Sequence, residues 1–136
     1  MDYQLLIKEA IAAKEMAYAP YSHFRVGAAL LTKEGKIYRG CNIENVAFTP
    51  TNCAERTAFF KAVSEGEKEF AAIVVTGDAD DYLYPCGVCR QVMVEFCDLN
   101  EFKVIVANTV DDYKIFTLGE LMPGAFNSEE LAKGQR

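Results

Sequence analysis

Residues 70–108 read FAAIVVTGDADDYLYPCGVCRQVMVEFCDLNEFKVIVAN. Two nearly continuous apolar runs, residues 70–77 and 102–108, flank a segment with helical spacing over residues 86–97. Apolar runs without strict alternation are typical of strands that are buried on both faces of a sheet. Because a helix between two such strands usually forms a crossover, this stretch predicts a sheet that is covered by helices.

Further elements are predicted on both sides of this stretch. They are a helix over 2–18, a hairpin of strands over 24–32 and 36–42, a helix over 53–65, a short strand over 114–117 and a helical turn over 118–122. This order predicts an α/β fold, a three-layer α/β/α sandwich with a mixed sheet of about five strands. We expect one domain over residues 1–136, with 127–136 as a frayed tail.

Composition and charge exclude several classes of protein. Hydrophobic residues make up 51% of the 136, and 20 acidic against 14 basic residues give a net charge of −6. Binding to a phosphate backbone depends on Lys and Arg, so we expect no nucleic-acid partner. No apolar run approaches the roughly 20 residues of a membrane helix, and the first residues lack the pattern of a secretory signal. We therefore expect a cytoplasmic protein with a small neutral ligand and no membrane partner.

The chain contains five cysteines and one histidine. Cys86 and Cys89 lie on one face of a predicted helix. Cys53 stands at the start of another helix, which Thr51 or Asn52 would cap. Helix N-termini favour thiolates, because unpaired N–H groups and the helix dipole stabilise negative charge. Three interpretations remain open: a structural zinc site with four ligands, a redox pair of cysteines, and a catalytic zinc site with three thiolates and one open position.

Glu55 also has two interpretations. It follows Cys53 by two residues, in the first turn of the predicted helix. With Asn52 it would form a capping box at the helix N-terminus. Alternatively, its carboxylate flanks a metal without binding it and moves protons between water and a substrate.

These segments together resemble a known family. Cys53-Ala54-Glu55 followed by Pro85-Cys86-Gly87-Val88-Cys89 resembles the zinc nucleoside deaminases. Other segments are similar to cytidine deaminases of the small, homotetrameric class: FRVGAA at 24–29, GCNIEN at 40–45, CAERTA at 53–58, CRQ at 89–91 and LMPGAF at 121–126. The similarity covers roughly residues 18–126 and implies a cytidine deaminase-like fold.

The resemblance implies the residues of a catalytic metal centre. Cys53, Cys86 and Cys89 would hold one Zn²⁺ per chain. Glu55 would be the catalytic group that moves protons between water and substrate. Arg56 would donate hydrogen bonds to the ligand sulfurs and withdraw negative charge from them.

The resemblance also implies a substrate pocket that is shared between subunits. Asn42 and Glu44 would bind the ribose hydroxyls, Phe24 would border the pocket, and the backbone of Ala54 would meet the pyrimidine edge. Phe126 would reach the active site of a neighbouring subunit. The subunits would form a homotetramer.

The implied activity is the hydrolytic deamination of free cytidine and deoxycytidine to uridine and deoxyuridine, with release of ammonia, in pyrimidine salvage. Val46, Phe48 and Tyr84 depart from the family pattern and bear on substrate preference. One alternative is a deaminase of a related aminopyrimidine nucleoside. Another is a non-enzymatic zinc-stabilised module, in which Cys41 would be the fourth ligand.

Overall fold

The computed structural model of the protein describes residues 1–134. Its elements are, in chain order, α1 (Tyr3–Lys14), β1 (Val26–Thr32), β2 (Ile37–Cys41), α2 (Ala54–Ser64), β3 (Phe70–Gly77), α3 (Gly87–Phe96), β4 (Lys103–Thr109), β5 (Asp112–Thr117), α4 (Leu118–Leu121) and α5 (Ser128–Gly134). The strands form one sheet in the order β2-β1-β3-β4-β5. Strands β3 and β4 are parallel and the other neighbours are antiparallel, which confirms the predicted mixed sheet.

Helices cover both faces of the sheet. Successive side chains of a strand point to opposite faces, and this alternation divides the core in two. On one face, Val74 packs with Leu6 of α1. On the other face, its neighbour Ile73 packs in a core that includes Phe59 of α2 and Met93 of α3. The predicted three-layer sandwich is therefore confirmed.

Helix α2 lies unusually close to strand β2 at Gly40. A Cβ at this position would be 2.3 Å from the carbonyl oxygen of Ala54 and 2.6 Å from the backbone nitrogen of Ala58. A side chain does not fit at such distances, so glycine is required there. The contact holds the first turn of α2 against the sheet, next to the loop that follows β2.

Helix α1 ends at Lys14, four residues before the predicted limit. The N–H groups of Met16 and Ala17 donate to carbonyls three residues back, which tightens the last turn. The N–H of Tyr18 then donates to the carbonyl of Asn42 at 2.9 Å. The chain thus leaves the helix in order to pair with the segment after β2.

The C-terminal part of the described chain differs from the predicted frayed tail over 127–136. Residues Ser128–Gly134 form α5. The side-chain oxygen of Asn127 accepts the N–H of Glu130 at 3.0 Å, and Glu129 and Glu130 occupy the first turn. A polar cap and acidic residues at a helix start are favourable. Residues 135 and 136 lie outside the described part.

None of the helices found over residues 1–134 has both the length and the apolar character that are needed to span a membrane.

Candidate metal centre and cavity

Three cysteine sulfurs meet where α2 and α3 begin. Cys53 is the N-cap of α2, Cys86 is the N-cap of α3, and Cys89 is the third residue of α3. Their Sγ atoms all lie within 4.8 Å of one another, and those of Cys53 and Cys86 are 3.8 Å apart. The structure therefore brings together the three cysteines that the sequence singled out.

The local caps differ from the prediction. Neither Thr51 nor Asn52 caps α2, because Cys53 itself is the N-cap and makes no side-chain capping bond. The side chain of Asn52 instead donates to the hydroxyl of Thr57 at 3.2 Å. The predicted capping box of Asn52 and Glu55 is thus wrong. A capping box is present at the start of α4, between Thr117 and Glu120.

The thiols are poised to bind a cation. A hydrogen bond from Cys89 and a further one from the Arg56 guanidinium lower the pKa of Cys53 to about 5. The hydrogen bond to Cys53, together with burial, raises the pKa of Cys89. Arg56 Nη2 is 3.2 Å from the Cys53 sulfur, so the guanidinium lies directly beside the cysteine cluster, as the resemblance implied. A set of thiolates suits Zn²⁺ chemically, and binding it releases the remaining thiol protons.

The cluster contains three ligand residues rather than four. Among residues 1–134, the group able to hold a metal ion consists of Cys53, Cys86 and Cys89, and Cys41 is not part of it. A closed structural zinc site needs four protein ligands. Three thiols leave one coordination position for a non-protein ligand.

Glu55 lies beside the sulfurs with its side chain almost fully buried. The residue is 4% exposed, and burial raises the pKa of its carboxyl to about 7. A carboxyl group with a pKa near neutrality exchanges protons readily at physiological pH. Glu55 also lines the same cavity as Cys53 and Cys86. The residue is therefore placed to pass a proton to a ligand in that cavity.

The cavity is large enough for a small molecule. Its volume is about 310 Å³, near the lower end of the range of ligand pockets. Four predicted substrate-binding residues line it: Phe24, Asn42, Glu44 and Ala54. Tyr84, which the sequence analysis linked to substrate preference, lines it as well. The structure adds lining residues that the sequence analysis did not identify: Ser22, Val26, Thr51, Asn52 and Leu83. Of these, Val26 was detectable, because it follows Phe24 by two residues on an extended chain.

Asn42 and Glu44 are held by hydrogen bonds to the first residue of β1 and to the chain just before it. Asn42 accepts the N–H of Val26 and donates to the carbonyl of Phe24, both at 2.8 Å. Glu44 accepts from the hydroxyl of Ser22 and from the N–H groups of Tyr21 and Ser22 at 3.0 and 3.1 Å. The Ser22 hydroxyl and these backbone donors lower the pKa of Glu44, so the cavity wall carries a stable anion.

Phe126 is not among the residues that line this cavity. Its ring is 59% exposed, and its carbonyl accepts a hydrogen bond of 2.8 Å from the side chain of Gln91. A single chain thus places Phe126 on its surface, outside the lining of its own cavity.

The arrangement defines a class of protein: an α/β protein with three cysteines that could hold a metal ion and a buried carboxyl that lines the adjacent small-molecule cavity. Comparison with known proteins identifies the family within this class. Residues 1–106 match the family model of the cytidine and deoxycytidylate deaminase zinc-binding region. The chain belongs to this family.

Named relatives cover almost the whole chain. Cytidine deaminase from Halalkalibacterium halodurans is 54% identical over 96% of this chain and 98% of its own length. Cytidine deaminase from Sporosarcina psychrophila is 52% identical over 97% and 96%. The crystal structure of cytidine deaminase from Burkholderia pseudomallei is 48% identical and has a TM-score of 0.87, covering 93% of this chain and 100% of that one.

Proposed function

We propose that this protein catalyses the hydrolytic deamination of free cytidine and deoxycytidine to uridine and deoxyuridine, with release of ammonia, as a step of pyrimidine salvage. The observation that carries the proposal is the position of Glu55, buried beside three cysteine sulfurs and open to the same cavity. The family membership and the names of the relatives support the same reaction.

Cys53, Cys86 and Cys89 hold one Zn²⁺ in this proposal. The chemistry that the bound ion supplies is the lowering of the pKa of water from about 15.7 toward about 7. Arg56 offsets the charge of the three thiolates by its hydrogen bond to Cys53. Without that offset the excess negative charge would weaken the effect of the dication on water.

Glu55 performs the proton transfers. Its carboxylate takes a proton from water, and its carboxylic acid gives that proton to ring nitrogen 3 of cytosine. The oxygen adds to carbon 4, and Glu55 then moves the remaining proton of the added hydroxyl to the exocyclic amine, which leaves a carbonyl at carbon 4. The C–N bond then breaks, so that water and cytidine become uridine and ammonia. The raised pKa of Glu55 suits a group that acts in turn as base and acid.

The cavity wall orients the nucleoside. Asn42 and Glu44 offer polar groups to the two vicinal hydroxyls of ribose, and the ring of Phe24 borders the base. The backbone of Ala54, the first residue of α2, meets the polar edge of the pyrimidine. A pocket of mostly apolar lining with a few polar groups is the usual form of a small-ligand site.

The protein acts as a homotetramer with shared active sites in this proposal. The exposed ring of Phe126 is available to enter the cavity of a neighbouring subunit. The net charge of −6 disfavours a nucleic-acid substrate. None of the five cysteines, all within the described residues, forms a disulfide, which agrees with action in the reducing cytoplasm.

The test is an absorbance assay of the zinc-loaded protein with cytidine, deoxycytidine and a panel of other aminopyrimidine nucleosides. We expect turnover of cytidine and deoxycytidine with equal amounts of uracil nucleoside and ammonia. Turnover of another nucleoside alone would favour the alternative substrate class. No turnover of any of them would contradict the proposal and favour a zinc-stabilised module.

A further inference from the structure

We propose that Arg90 and Gln91, neighbours on α3, are positioning residues that join the metal loop (residues 85–89) to the C-terminal segment (residues 121–126). Arg90 fixes the metal loop by hydrogen bonds to its backbone carbonyls. Gln91 fixes the place from which Phe126 is presented. The part that concerns Phe126 rests on the proposed function, whereas the part that concerns the metal loop does not.

Arg90 holds the peptide group that leads into Cys86. Its Nε donates to the carbonyl of Pro85 at 2.8 Å, and its backbone N–H donates to the carbonyl of Cys86 at 3.0 Å. The Pro85 carbonyl carbon is bonded to the nitrogen of Cys86, so its orientation sets the direction in which Cys86 begins. Because the three sulfurs lie within 4.8 Å, a rotation of this peptide would move one of them out of the cluster.

The same guanidinium reaches the C-terminal segment. Arg90 Nη1 donates to the carbonyl of Leu121 at 2.9 Å. Leu121 is the last residue of α4, and carbonyls at a helix C-terminus lack partners within the helix and carry partial negative charge. The guanidinium is planar and rigid, so one side chain keeps two carbonyls of distant segments at a fixed spacing.

Gln91 holds the far end of this segment. Its side-chain amide donates to the carbonyl of Phe126 at 2.8 Å. Between Leu121 and Phe126 the chain turns at Gly124, which has a φ of 67°. The backbone at Phe126 is therefore fixed to α3 while its ring stays 59% exposed. This combination is suited to presenting an aromatic side chain to another molecule at a defined position.

The roles of the two residues are tested by zinc release. The full-length, zinc-loaded protein is mixed with a chromogenic chelator, and the rate of metal transfer is recorded. We expect Arg90→Gln to lose zinc about tenfold faster than wild type, as is usual when a partner of a ligand segment is removed. Gln91→Leu should release zinc at the wild-type rate, as should the control Glu95→Gln, which changes an exposed residue of the same helix.

Steady-state kinetics test the second role. Gln91→Leu should raise KM for cytidine about tenfold, a size typical of one lost contact in a pocket, and leave kcat near the wild-type value. An unchanged KM would overturn the role of Gln91, and wild-type zinc release in Arg90→Gln would overturn that of Arg90. Absence of turnover in the wild type would refute the proposed function and the role of Gln91, while zinc release still decides the role of Arg90.

Arg90→Lys provides a second variant if Arg90→Gln does not fold. Lysine keeps the cation and one donor to a carbonyl but cannot hold two carbonyls in a fixed plane. We expect Arg90→Lys to bind zinc and to be folded as judged by circular dichroism. Its rate of zinc release should lie between those of wild type and Arg90→Gln. Failure of zinc-loaded Arg90→Lys to fold would overturn the proposal, because Arg90 would then serve the fold as a whole.

Discussion

Replacing Glu55 by Gln tests the proton-transfer step with little change in shape. Glutamine has almost the same volume as glutamate, and the side chain is 4% exposed at the base of the cavity. The variant removes only the property that the mechanism needs, which is the ability of the side chain to gain and lose a proton. Because burial opposes the charged form of Glu55, a neutral amide is not expected to destabilise the fold by loss of a favourable charge.

The expected effect follows from the role of Glu55. Positioned acid–base groups contribute typically about 10²–10⁴-fold to a rate, which corresponds to about 3–5 kcal/mol in activation free energy. We expect kcat of Glu55→Gln to fall by at least that lower factor. Zinc content and the temperature of unfolding should stay at the wild-type values, because none of the three sulfurs is altered.

The assay is steady-state cytidine turnover, measured on preparations whose zinc content is determined beside it. Glu65→Gln is the matched control, since Glu65 is exposed at the C-terminal end of the same helix. That control should keep full activity. A zinc-loaded Glu55→Gln protein that retains clearly more than about a hundredth of the wild-type kcat would refute the role of Glu55 as the group that moves protons.

Three further predictions concern the surroundings of the site. Arg56→Gln should retain zinc but lower kcat about tenfold or more, because the hydrogen bond to the Cys53 sulfur is lost; kinetics with metal analysis check this. Asn42→Ala should lower the free energy of unfolding by about 1–3 kcal/mol and raise KM, since two backbone groups lose their partner; urea titration and kinetics measure both. Hydrogen bonds from the Arg25 side chain lower the pKa of Asp78 to about 2, from 3.8. The stabilisation is therefore fully present above pH 3.8 and is lost as pH falls through about 2. Asp78→Asn should be less stable than wild type by about 1 kcal/mol at pH 7, and this difference should shrink as pH falls from 3.8 through about 2, as followed by urea unfolding.

The sequence predicted the sheet and the metal cluster because both depend on local patterns. Continuous apolar runs predicted β3 and β4 within one residue of their ends, since such runs are typical of strands buried on both faces. Cys53 and Cys86 were recognisable because a thiol before a helical pattern falls at a helix start. The residues alone left three interpretations of these cysteines open, and the resemblance to the zinc nucleoside deaminases implied that their sulfurs meet at one metal. The structure brings the sulfurs together.

Parts of the cavity were not predictable in the same way. Leu83 and Tyr84 line it from a loop whose path depends on tertiary contacts rather than on a local pattern. Asp78 directly follows β3 and forms ion pairs with Arg25 at 3.1 Å and Lys14 at 3.4 Å. Those contacts join residues far apart in the chain, and no spacing rule identifies them.

The central claim is that three thiolates hold the metal and leave one position open. X-ray absorption at the zinc edge of the loaded protein tests it most directly. The account predicts three sulfur neighbours at about 2.3 Å and one oxygen or nitrogen neighbour at about 2.0 Å. Four sulfur neighbours would contradict it, because the position needed for the reaction would then be occupied by the protein itself.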